Sequence, residues 1–181
     1  MSEQPISLPE LAELHTAMAR IIREAMPQVV DVQHYPKLQE GLPMPALYFA
    51  LSGLAPGPDP GDGRTAVMAT FEACVLVESD REQAHLQAAI LATKLVRLLD
   101  HDQYWGVECV DQAQDVHAMP SESIPELLQC AAWTVQWRHV LYLGDTEWPW
   151  EDQPPGSLLF AFDPDSGPGS EHQYQGPEAM G

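Results

Sequence analysis

Basic residues are scarce in this chain. Eight lysines and arginines stand against 27 aspartates and glutamates over 181 residues, for a formal charge of -19. A surface that negative repels phosphate and anionic lipid, which argues against sequence-specific nucleic-acid binding. Long apolar runs are missing as well: none approaches the roughly 18 residues that a membrane span needs. No basic stretch followed by an apolar one opens the chain, so the expectation is a soluble protein made in the cytoplasm, with no membrane partner. Cysteine is limited to Cys74, Cys109 and Cys130, without CxxC spacing and each in an apolar strand-like segment. They read as reduced core thiols. Catalytic signatures are absent too: with no GxSxG, P-loop, HExxH or GxGxxG, nucleophilic, nucleotide and metalloprotease chemistries have no foothold, and no enzyme, metal or cofactor is expected.

What is present is a pattern of alternating helix and strand periodicities. Ser7 is a candidate N-cap, with Pro9 and Glu10 in the first turn, and Leu11, Leu14, Met18, Ile21, Ile22 and Ala25 recur at helical spacing until Pro27. A short strand is expected over 29–34, with Val30 and Val32 on one face and Asp31 and Gln33 on the other. A loop follows over 35–45, and a second strand over 46–51. GLAPGPDPGDG (53–63) reads as a flexible, turn-rich tip.

The stretch TAVMATFEACVLVE is the plainest strand. Val67, Ala69, Phe71, Ala73, Val75 and Val77 line one face, and Met68, Thr70, Glu72, Cys74 and Leu76 the other. Ser79 and Asp80 are expected to cap a second helix whose buried stripe is Ala84, Ala88, Leu91, Leu95 and Leu98, with Lys94 and Arg97 towards its C-terminal end. A strand is expected over 105–110, a loop around 119–125, and a last long strand over 130–143. On that strand Ala131, Trp133, Val135, Trp137, His139 and Leu141 share one side, and Cys130, Thr134, Gln136, Arg138 and Tyr142 the other.

Helix, three strands, helix and two strands predict an α+β fold: a largely antiparallel or mixed sheet of about five strands with two helices on one face. Two helices cover only that face. The other, bearing Met68, Thr70, Glu72, Gln136 and Arg138, is still half apolar and is expected to be buried between chains.

Composition changes after Gly144. The domain is therefore taken as residues 1–144, followed by an acidic Pro/Gly-rich extension over 145–181 without lysine or arginine. Within it, Trp148, Trp150, Leu158, Leu159, Phe160 and Phe162 are apolar anchors, expected to dock on a neighbouring protomer or another protein.

Chemical readings of isolated residues are weaker. His101 and Asp102 could be imagined as an acid/base or metal pair, but they follow a helix end where histidine meets terminal carbonyls favourably. Cys109, His117, Cys130 and His139 could ligate zinc only if their strands met, and alternation puts Cys130 and His139 on opposite faces. Trp133 and Trp137 read as core, with a stacking platform as the alternative. Arg138 and Arg64 read either as intrachain ion pairs or as pairs with a neighbouring subunit.

The order of elements, the PALYFALSGLAPG stretch ahead of an acidic Gly/Pro tip, and the strand running into a helix at FEACVLVESDREQAHLQAA resemble tail proteins of Mu-like and lambda-like bacteriophages. In particular they resemble the tail terminator group that includes the lambda tail protein U. The resemblance covers roughly residues 8–144. It implies a virion tail protein that forms a hexameric ring on the last ring of tail tube protein, stops tube polymerisation and presents a surface to the head-tail connector. DNA would pass through an acidic lumen without specific binding. A reading from a different class is a small cytosolic adaptor or assembly chaperone whose uncovered face holds one partner chain.

Overall fold

A computed structural model describes residues 8–36, 41–101, 104–121 and 130–146. The chain divides into two units, Met1–Asp145 and Thr146–Gly181, and the elements below belong to the first.

The element order is α1 (Pro9–Ala25), β1 (Asp31–His34), β2 (Ala46–Pro56), β3 (Thr65–Glu78), α2 (Ala84–Asp100), β4 (Gln114–Pro120) and β5 (Cys130–Leu143). The strands form one five-stranded sheet in the order β1-β2-β3-β5-β4. β1 runs parallel to β2, and every other pairing is antiparallel. This is the mixed α+β sheet that the periodicities predict.

The core confirms the strand alternation. Ala69, Phe71, Ala73, Val75 and Val77 of β3 and Ala131, Val135, Trp137 and Leu141 of β5 are buried in one cluster with Leu14, Met18 and Ile22 of α1 and Ala88, Leu91, Leu95 and Leu99 of α2. Both helices therefore cover the same face. Leu99 takes the last place in the buried stripe of α2, and Leu98, expected there, is only half-buried.

Several local expectations are corrected. Ser7 lies outside the described residues; α1 has Leu8 at its N-cap, without a side-chain hydrogen bond, and Pro9 begins it. Val30 precedes β1 and is exposed, so only Val32 faces the core from that strand. β2 continues to Pro56 because β3 is long enough to pair with it through Val67, so 53–56 is strand and not part of a loose tip. Just beyond, the Gly57 amide donates to the Ala66 carbonyl at 2.9 Å, and a Cβ at Gly57 would lie 2.9 Å from the Ala66 carbonyl carbon. α2 begins at Ala84, not at Ser79 or Asp80; its N-cap is Gln83, at φ 56° and without a side-chain cap bond.

The segment 105–110 is not a strand. Trp105 and Gly106 adopt left-handed φ values of 57° and 71°, which turn the chain, and only Val110 bridges to Leu141. The edge strand lies later, at Gln114–Pro120, where it takes in Met119 and Pro120 of the expected loop.

Candidate functional site

On the sheet face opposite the helices, cross-strand register brings the expected interface residues together. Thr70 of β3 stands opposite Arg138 of β5, Glu72 opposite Gln136, and Met68 opposite Val140. Cross-strand partners share a face, so all five expected β-strand residues lie on one surface. Trp148, Trp150, Leu158, Leu159, Phe160 and Phe162 lie outside the described residues.

Polar side chains tie this surface across three strands. Gln136 Nε2 donates to Glu72 Oε2 at 2.7 Å, and His117 Nε2 of β4 lies 3.1 Å from Gln136 Oε1. Arg138 Nη1 donates to Asp115 Oδ2 at 3.1 Å, so Arg138 makes an intrachain ion pair. With side chains 51% and 64% exposed, that pair adds little stability and leaves the guanidinium in reach of solvent. Arg64 likewise pairs within the chain, with Asp62 at 2.6 Å, and lies 4.9 Å from the centre of the Tyr142 ring.

Much of the apolar part of the same face is buried within the chain. Ala46, Tyr48, Leu76, Cys130 and Ala132 form a small second cluster, packed by Leu42 and Met44 from the loop ahead of β2. Beside it opens a cavity of about 360 Å³ lined by Tyr35, Tyr48, Ser52, Glu72, Cys74 and Leu76, among others. Tyr48 Oη donates to Asp31 Oδ2 at 2.8 Å, and Gln33 Nε2 donates to the same carboxylate. Burial and the Glu72 charge raise the Cys74 thiol to about 11, so it stays protonated near neutrality. The arrangement sets carboxylates, amides and phenols around an apolar floor.

Sequence reasoning missed the cavity. Its signal was present in part, since Asp31 was placed on the face of β1 away from Val32. The Tyr48–Asp31 contact requires β1 to pair in parallel with β2, which periodicity does not reveal.

The other chemical candidates fall apart in space. His101 is the exposed C-cap of α2, and Asp102 lies outside the described residues. His139 is buried on the helix-covered side, where Trp105 Nε1 donates to its Nε2 at 2.8 Å, so its Nδ1 carries the proton donated to the Asp111 carbonyl. His117 and Cys130 lie on the opposite face, and Cys109 Sγ points at the Glu10 carbonyl. Among the described residues no three such side chains cluster as metal ligands, and no helix is long and apolar enough to cross a membrane. Trp137 is core, stacked on Phe71 at 5.6 Å between ring centres, and Trp133 is half-buried against the same cluster.

No protein-family model matches this chain, and no curated protein matches it.

Proposed function

We propose that the chain is a structural virion protein: a ring-forming tail terminator that caps the tail tube, stops its polymerisation and forms the joint to the head connector. The observation that supports this reading is that both helices lie on one face of the sheet. On the other, where Tyr48 and Leu76 are themselves buried, half-buried Met68 and Cys74 and a cavity rimmed by exposed Tyr35 lie beside a polar ladder. A face of that composition suits a contact between chains better than a solvent surface. The acidic charge of -19 suits a lumen that lets DNA slide. In this role the chain is a homo-oligomer, its partners are the tube protein and the connector, and its place is the virion tail after synthesis in the host cytoplasm. No reaction is required of it.

The experiment is to add purified chain to growing tail tubes and image them by electron microscopy. A six-fold ring at one tube end, with elongation halted, is the expected result. Tubes that elongate unchecked and bear no ring would sink the reading. A stoichiometric complex with some other polypeptide, without any ring, would point to the adaptor instead.

A further inference from the structure

The outer face of α2 carries an unusual pairing of features. Opposite its buried stripe, Leu86 and Ile90 are exposed at 54% and 47%. On the same outer side lie Arg97, exposed, and Lys94, half-exposed. Among the described lysines and arginines these two alone make no hydrogen bond or ion pair: Arg20, Arg64, Arg81 and Arg138 each have a carboxylate, and Arg23 has the Val32 carbonyl. In a chain with 27 acids and eight bases, two free cations beside two exposed apolar side chains make this helix face ready for an acidic, partly apolar surface.

The opposite side of the sheet offers one. Glu72 and Asp31 are held by neutral donors only, from Gln136, Gln33 and Tyr48, and no cation pairs with either among the described residues. Between and beside them, Tyr35, Tyr48 and Leu76 line the 360 Å³ cavity, so a cationic or aliphatic side chain entering it would meet aromatic rings and a carboxylate together.

We propose that the outer face of α2 of one copy docks on the cavity-bearing sheet face of the next, with Lys94 and Arg97 reaching the Glu72 and Asp31 carboxylates and Leu86 and Ile90 covering the cavity rim. The proposal rests on the ring reading above and names the contact that builds the ring. The two surfaces lie on opposite sides of one sheet, because α2 packs on the covered face and the cavity opens on the other. Pairing between them is head-to-tail, and head-to-tail pairing closes into a ring when the rotation between copies allows it.

Charge reversal in the full chain tests this. One variant carries Lys94→Glu and Arg97→Glu, and the other carries Glu72→Lys. Should Glu72→Lys fail to fold by circular dichroism, Ser52→Lys places the charge on the exposed rim of the same cavity. Each variant alone should self-associate at least about tenfold more weakly than the native chain in sedimentation velocity, as expected for removal of close charge pairs across an interface. An equimolar mixture should recover native assembly, because each reversed helix then meets a reversed cavity and each native helix a native one.

Variants that assemble like the native chain on their own, or a mixture that stays dissociated, overturn the proposal. So does a native chain that remains monomeric at the highest soluble concentration. A native ring that survives every reversal removes this contact and leaves the ring reading standing, whereas bare tube ends in the imaging experiment remove the ring reading itself.

Discussion

At the scale of single residues, His139 and its neighbours make the most specific demands. Burial lowers the His139 imidazole from 6.5 to about 4, against the opposing pull of the Asp111 and Gln112 backbone and the Asp111 charge. The folded chain therefore refuses a proton that the unfolded chain accepts between pH 6.5 and about 4. Stability from this group is fully present above that window and is lost as pH falls through it, by about 3 kcal/mol in total at about 1.4 kcal/mol per pH unit. His15, lowered chiefly by burial, acts in the same direction. His139→Gln keeps an acceptor for Trp105 and a donor for Asp111 but cannot titrate. Urea unfolding of the two proteins should show the native chain losing stability relative to the variant as pH drops from 7 to about 4; parallel pH profiles would show that His139 titrates normally when folded. Two buried indoles should also behave differently. Trp105 Nε1 has His139 as acceptor at 2.8 Å, whereas Trp137 Nε1 is buried with no acceptor among the described residues. Replacing Trp105 by Phe strands the His139 nitrogen and should cost about 1–3 kcal/mol beyond the packing change. Trp137→Phe removes an unmet donor, so its loss in thermal stability should be the smaller of the two.

At the scale of elements, the sheet and helices were legible where periodicity ran long. The 14-residue strands β3 and β5 pair in an unbroken register, and their inward sets are those that the sequence indicates except that Val67 and Trp133 are only half-buried. The errors fall where local chemistry is ambiguous. Trp105, Val107 and Val110 carry strand propensity, but Gly106 at φ 71° turns the chain among them. β4, with the sequence QDVHAMP, is not recognisable as a strand because an edge strand needs no apolar alternation, and a register shift between Gln114 and His117 breaks what alternation it has. The start of α2 was misplaced because Ser79 and Asp80 suit a cap, yet turns occupy 79–83 and the helix opens at Gln83 in the left-handed region. That strain gives a prediction. Gln83→Gly adopts φ 56° without the Cβ clash and should raise stability by about 0.5–1 kcal/mol in thermal unfolding. A destabilised variant would mean that the Gln83 side chain contributes more than its backbone costs.

At the scale of the whole molecule, both described helices lie on one face of the sheet. Residue alternation foretold that asymmetry and the composition of the opposite face, since Met68, Thr70, Glu72, Gln136 and Arg138 follow from strand periodicity alone. It left open whether Arg138 pairs within the chain and did not identify its partner, because Asp115 comes from a strand that the sequence did not reveal. With Arg138 paired at home, the proposed contact between chains would fall on the apolar members of the face and on the carboxylates that no cation pairs among the described residues. Met68 is half-buried and is not part of the main core, so a larger polar substituent there can be accommodated without entering that core. Met68→Glu should therefore leave the isolated chain folded, with helical circular dichroism unchanged, while adding a charge that a dry contact between copies cannot accept without a partner. Ring formation on tail tubes should fall sharply at physiological salt. Raising the salt should restore little of it, because the penalty comes from dehydrating the new carboxylate, which screening does not relieve. Normal rings from the variant would place the contact between copies on another surface, and unfolding of the free chain would show that Met68 belongs to the core after all.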